Sequence, residues 1–196
     1  MLHRYFILNK PYNMVSQFVS SHDVKLLGDI DFEFPEGTHA IGRLDKNSEG
    51  LLLLTTNTKI TRLLFQGKQP HSRTYLVQVR HKMTEETAQL LRNGIAISAQ
   101  GGLPDYITQP CSVKILDKPS YSFSSGYVLW PTVPNTWIEI TLTEGKFHQV
   151  RKMVDAVHHG CKRLIRISIE DITLENMQPG EVMEIPEAAF FSKLKL

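Results

Sequence analysis

Apolar positions along this chain come in short runs broken by turn-forming residues, the signature of strands more than of long amphipathic helices. Tyr5 to Leu8 predicts a short strand, stopped by Asn9-Lys10-Pro11-Tyr12-Asn13, whose proline has no N–H for a sheet ladder. Lys25 to Ile30 suits a brief helical turn. Leu51 to Leu54, followed by Thr55 and Thr56, has the length and polarity of a strand buried on both faces. Asn57 or Thr58 can cap a short helix carrying Ile60, Leu63 and Leu64 and ending near Gly67. Thr74 to Val79 is β-branched and aromatic, hence a strand. Thr84, with Glu85 and Glu86 behind it, marks the start of a helix that carries Leu90 and Leu91 and stops at Asn93-Gly94.

Farther along, residues 119–136 mix prolines, serines and aromatics and predict a long loop. Trp137 to Leu142 alternates apolar and polar side chains, the period of a strand. Phe147, Val150, Val154 and Val157 fall at i, i+3, i+7 and i+10 and predict a helix over Phe147–Val157 with Phe147 on its buried side. Leu164 to Leu174 and Val182 to Ile185 predict two closing strands separated by the turn Pro179-Gly180. Strands outnumber helices and often follow one another directly. The expected class is therefore α+β with a largely antiparallel sheet, and 196 residues allow one substantial core or two small subdomains sharing a sheet.

Composition adds little, at 41% hydrophobic, 21% charged and a net charge of +2, because these are the values of an ordinary globular protein. The distribution of charge says more. Acids gather at Asp29, Asp31, Glu33 and Glu36 and again at Glu170, Asp171 and Glu175. Bases gather at Arg43 and Lys46, from Lys68 to Lys82, and from Lys146 to Arg166, segments that suit a positive face for a polyanion. The two cysteines, Cys111 and Cys161, exclude a disulfide framework and point to a reducing compartment. The apolar run at the N-terminus is too short for a signal peptide, and no later run reaches membrane-spanning length, so a cytoplasmic protein with no membrane partner is expected.

Candidate chemistry centres on IGRLDKNSEGLLLLTTN, in which Asp45 sits between Arg43 and Lys46 in a segment bracketed by Gly42 and Gly50. An aspartate so placed is a salt-bridged surface acid or a nucleophile at the lip of a buried strand, and spacing leaves both open. Asp45 with Glu49 as an acid/base pair has nothing to set the carboxylate separation that glycosidic cleavage needs. In EGKFHQVRKM, Arg151 is either part of a charged helix face, paired with Asp155, or a cleft residue that holds an acid bidentately. In HSRTYLV, Tyr75 is either a core tyrosine or a ring for a flipped base, with Arg73 on the same strand face at its water-exposed end. His158-His159-Gly160-Cys161 does not match zinc-ligand spacing, and no metal is expected. Phosphate-binding glycine loops and G-x-S-x-G are absent, which removes support for nucleotide cofactors and serine hydrolase chemistry.

Together these segments resemble the RsuA-type family of rRNA pseudouridine synthases, from Asn9-Lys10-Pro11 to Pro179-Gly180. GRLDKNSEGLLLLT is similar to the segment around the family's catalytic aspartate, RTYLVQV to the strand bearing its active-site tyrosine, EGKFHQVRKM to its EGxxxQVRxM segment, and RLIR at 163–166 to its RLxR element. The resemblance implies a pseudouridine synthase catalytic fold with a central cleft. It implies catalytic roles for Asp45, Tyr75 and Arg151, and RNA contacts by Lys10, Arg43, Lys46, Arg73, Lys152, Arg163 and Arg166. Most relatives carry an S4-like RNA-binding domain ahead of the catalytic one. Here the first strand starts near residue 5, so a single catalytic domain without that module is expected, as in a large-subunit member of the family.

The implied reaction breaks the bond between ribose C1′ and uracil N1, rotates the base and joins C1′ to C5. A carboxylate can attack C6 or C1′ or abstract a proton, and all three routes stay open. Isomerisation requires no redox partner, metal or energy source, so no cofactor is expected. The implied partner is ribosomal RNA, 23S in particular, free or within ribosomal particles, with a monomer as the default. A catalytically inactive RNA-binding or assembly factor on the same scaffold is the alternative. A hydrolase using Asp45 with Glu49 or Glu144 is a further one.

Overall fold

The structure is a computed structural model, and it describes residues 2–66, 69–98, 105–121 and 133–196. In chain order its elements are β1 (Tyr5–Lys10), β2 (His39–Ile41), β3 (Glu49–Thr55), α1 (Ile60–Gln66), β4 (Arg73–Arg80), α2 (Glu85–Arg92), β5 (Ala96–Ile97), β6 (Tyr106–Ile107), β7 (Ser112–Leu116), β8 (Asn135–Leu142), α3 (Gln149–Ala156), β9 (Cys161–Ile169), β10 (Ile172–Thr173), β11 (Val182–Ile185) and α4 (Glu187–Leu194). A 3₁₀ turn covers Leu27–Asp29. The fold is α+β with a mixed, mostly antiparallel sheet, the class that the run-and-turn pattern predicts. The described residues form two compact units. One runs to His71 and resumes at Ile165; the other lies between Ser72 and Leu164.

In the first unit β1 lies between β11 and β3, antiparallel to both. β3 also pairs with β2, and it meets β9 in parallel register at Glu49–Ile165 and Gly50–Arg166. The four leucines of β3 are wholly buried because both faces of its sheet are covered. On one side Phe6 meets Phe32 and Phe34 edge-on at 5.6 and 5.9 Å; on the other Tyr5 meets Phe190 of α4 at 4.5 Å. At about 2 kcal/mol per fully buried leucine, the run at 51–54 contributes roughly 8 kcal/mol against the chain entropy that opposes folding.

In the second unit β8 is paired antiparallel with β4 on one side and β7 on the other. Ile138, Ile140 and Leu142 project to one face, where they pack with Val77 and Val79 of β4, Ala88 and Leu91 of α2, and Val150, Met153 and Val154 of α3. Thr84 caps α2 by accepting the Thr87 N–H at 3.3 Å, a bond worth about 1 kcal/mol.

Several boundaries differ from the sequence expectations. β1 continues through Asn9 and Lys10, because these pair with Leu51 and Gly50, and only Pro11 ends it. The apolar stretch Leu164–Leu174 is not one strand: β9 and β10 form a hairpin that turns at Glu170, which has a φ of +48°. Its apolar arms hide the break from pattern reading. α3 starts at Gln149, because His148 takes a left-handed conformation with φ +53°. Phe147 therefore leaves the buried stripe and stands 51% exposed. The short strands β2, β5, β6 and β7 and helix α4 carry no sequence signal strong enough to predict them. Of the loop expected over 119–136, residues 135 and 136 belong to β8, and 122–132 lie outside the described residues, as does Gly67.

Candidate active site

Asp45 stands in the first unit on the segment between β2 and β3, and both sides of it are fastened to the core. Just before it, Leu44 is buried, its N–H donating to Ser16 Oγ at 3.0 Å while that hydroxyl donates back to the Leu44 carbonyl at 2.9 Å. After it, buried Ser48 donates its N–H to the Asp45 carbonyl at 3.0 Å, and its hydroxyl lies 3.5 Å from Asp45 Oδ2. Gly42, at φ +74°, lets the chain pass the Phe65 ring, whose Cζ would come within 2.7 Å of any Cβ there. The carboxylate is left half-exposed between buried anchors, with Arg43 and Lys46 exposed beside it. Such a placement gives a carboxylate a fixed position and access to solvent, which a reacting group requires.

Beneath this segment lies a group of buried charges. Lys10 is fully buried opposite Gly50, and its ammonium donates to the carbonyls of Pro11 at 2.8 Å and Met14 at 2.6 Å. Burial pushes its pKa down to about 8; the carboxylates of Glu49 and Asp45 oppose that shift and the guanidinium of Arg166 adds to it. Arg166 is buried too, with Nε donating to the Leu51 carbonyl at 2.7 Å. Two cations and two carboxylates thus share one corner of the unit. Lys10 and Arg166 were expected to contact RNA. Their burial is at odds with that role, because both hold backbone carbonyls inside the protein. Glu49 was weighed only as an acid/base partner; the structure buries it in β3, where its charge acts on Lys10. Nothing local signals this, since it depends on the register of β1 against β3.

The remaining candidates belong to the second unit. Tyr75 is half-buried in β4, packed against the core on the same face as Val77. Arg73 is not at a water-exposed end but 7% exposed, and its Nη1 would lie 3.6 Å from a Cβ at Gly145. Arg151 is half-buried on α3, with Nη1 3.6 Å from Cys161 Sγ. Lys152 donates to the Ser98 carbonyl at 2.7 Å, and Arg163 is half-buried in β9. Sequence reasoning gave no structural part to Glu144 and Gln149 of EGKFHQVRKM. The Glu144 carboxylate accepts from Tyr106 Oη, from the Gln109 N–H at 2.9 Å and from Gln149 Nε2, and Gln149 Oε1 takes the Lys146 N–H at 2.9 Å. These bonds tie β6 to the start of α3. Among the described residues no three His, Cys, Asp or Glu side chains are grouped to hold a metal ion, and no helix is long and apolar enough to cross a membrane.

Residues 4–156 match the family model described as RNA pseudouridylate synthase. A ribosomal large subunit pseudouridine synthase E from Vibrio parahaemolyticus is 37% identical over 180 residues, covering 91% of this chain and 72% of the relative. The protein of the same name from Xanthomonas axonopodis pv. citri is 35% identical, covering 88% of this chain and 89% of its own. A crystal structure of a pseudouridylate synthase superposes with a TM-score of 0.78 at 26% identity, over 98% of this chain and 74% of that one. The chain belongs to the RNA pseudouridylate synthase family.

Proposed function

We propose that this protein isomerises uridine to pseudouridine in ribosomal RNA, with 23S rRNA as the substrate and the cytoplasm as the place of action. Relatives at 33–37% identity that carry the large-subunit name support the choice of RNA. The observation that carries the reading is the placement of Asp45, a half-exposed carboxylate held from both sides on a segment that resembles the family's catalytic one.

Asp45 attacks C1′ or C6 of the target nucleotide, or takes a proton from it to start elimination. In each route the C1′–N1 bond breaks, the freed base turns, C5 bonds to C1′ and loses its proton, N1 gains one, and any bond to the Asp45 carboxylate is broken again as the enzyme is released. The buried ammonium of Lys10 and the Asp45 carboxylate attract one another electrostatically. Tyr75 receives the flipped base and Arg151 is the basic partner of the aspartate; both roles rest on the motifs that carry them. Arg43 and Lys46, exposed on either side of Asp45, hold the RNA backbone, as do Lys152 and Arg163.

The test is a map of rRNA pseudouridines in a strain lacking the gene, read by primer extension across carbodiimide adducts and rescued with wild type or with Asp45→Asn. A large-subunit site restored by wild type alone supports substrate, reaction and nucleophile together. Full rescue by Asp45→Asn would make the protein a non-catalytic RNA-binding factor.

A further inference from the structure

The segment joining β8 to α3 carries an aromatic pair to which the isomerisation assigns no work. Phe147 is 51% exposed, and the ring of His148 stacks on it with centroids 3.8 Å apart and planes 16° from parallel. Were α3 to begin two residues earlier, Phe147 would join Val150 and Val154 in the core. The left-handed His148 prevents this, at a backbone cost of about 1–2 kcal/mol for a residue with a Cβ. A large apolar ring is thus held at the surface.

The surroundings of the pair are basic. Half-buried Lys152, whose Nζ also donates to the Ser98 carbonyl, places that nitrogen 5.3 Å from the Phe147 centroid, and exposed Lys146 places Nζ 4.4 Å from the Tyr106 ring. The nearest acid in the segment, Glu144, is occupied by three donors, and the only acid in α3 is Asp155, a turn beyond Arg151. A flat stack flanked by ammonium groups matches a nucleotide, which brings a π-face and a phosphate together. A greasy peptide side chain would gain nothing from the cations.

We propose that Phe147 and His148 form a stacking platform for an unpaired base of the substrate RNA, with Lys146 and Lys152 serving its phosphates. This rests on the proposed function and adds a substrate-binding element to it. The platform acts in binding and takes no part in the chemical step.

The experiment compares wild type with Phe147→Ala, Phe147→Trp, Phe147→Leu and Leu90→Ala on transcribed 23S rRNA, measuring affinity and single-turnover pseudouridylation. Leu90 is a control, an apolar side chain 56% exposed on α2. Base–aromatic stacking predicts a loss of affinity of roughly 5- to 150-fold for Phe147→Ala. The rate at saturation should stay within about twofold, because binding and not chemistry is lost. Phe147→Trp should bind as well as wild type, and Leu90→Ala should be unaffected. Equal affinity of Phe147→Ala and wild type overturns the platform. Full affinity in Phe147→Leu overturns it as well, leaving a plain apolar contact. A wild type that binds the RNA without modifying it sinks the pseudouridylation reading, while the affinity series still decides the platform. A wild type that does not bind overturns both.

Discussion

Gly50 lies against Arg166 where β3 meets β9 in parallel register, and a Cβ on it would overlap the Arg166 carbonyl oxygen. Its φ of +99° is likewise one that side chains rarely adopt. The close approach puts the start of β3, and with it the segment carrying Asp45, hard against the strand that carries buried Arg166.

Gly50→Ala should therefore unfold more easily than wild type. A positive φ and a collision with backbone together cost about 3 kcal/mol or more. Urea unfolding followed by circular dichroism checks this; an unchanged midpoint would mean that the strands separate at no cost.

Stability should rise with pH in a window set by Lys10. Its folded pKa, about 8, lies below the ordinary value of 10.5, so between the two the unfolded chain binds more protons. The cost of the buried charge is felt in full below pH 8 and fades as pH climbs towards 10.5. Relative to Lys10→Met, which has nothing to titrate there, wild type should gain up to about 3 kcal/mol across the window. A constant difference between the two proteins from pH 7.5 to 10.5 would show that the lysine is not held in this way.

Glu144→Gln should loosen the β5–β6 hairpin and leave the main sheet of its unit intact. The carboxylate accepts from Tyr106, Gln109 and Gln149, and hydrogen bonds to a charged group are worth about 1.5–3 kcal/mol each. The Thr108 amide, which donates to the Ile95 carbonyl at 3.0 Å, should exchange its hydrogen faster, and the paired amides of Val113 and Ile140 should not. Unaltered exchange at Thr108 would remove Glu144 from this role.

Arg151→Ala should cost more activity than Lys152→Ala. A catalytic guanidinium contributes about 100-fold or more to turnover, whereas one backbone lysine mainly weakens binding. Tritium release from labelled rRNA separates kcat from KM for both variants. Comparable turnover in the two would remove Arg151 from the chemistry.

Reading the chain without its structure succeeds where one short stretch contains the whole cause. The leucines at 51–54 are apolar on both sides of a strand and can only be buried, Thr84 caps α2 with its own hydroxyl, and Val182–Ile185 forms the strand its pattern predicts. It fails where the cause is one backbone angle. The 3.6-residue spacing of Phe147, Val150 and Val154 is real, yet left-handed His148 takes Phe147 out of the stripe.

The sequence by itself determined the α+β class, the principal strands and the motif segments that bring Asp45, Tyr75 and Arg151 under suspicion, because these follow from residue type and spacing. Tertiary structure alone decided which charges lie inside. Lys10, Glu49 and Arg166 look like surface groups in one dimension. The pairing of β1 with β3, and of β3 with β9, gathers them under the Asp45 segment, where burial changes what a charge costs and therefore what it can do.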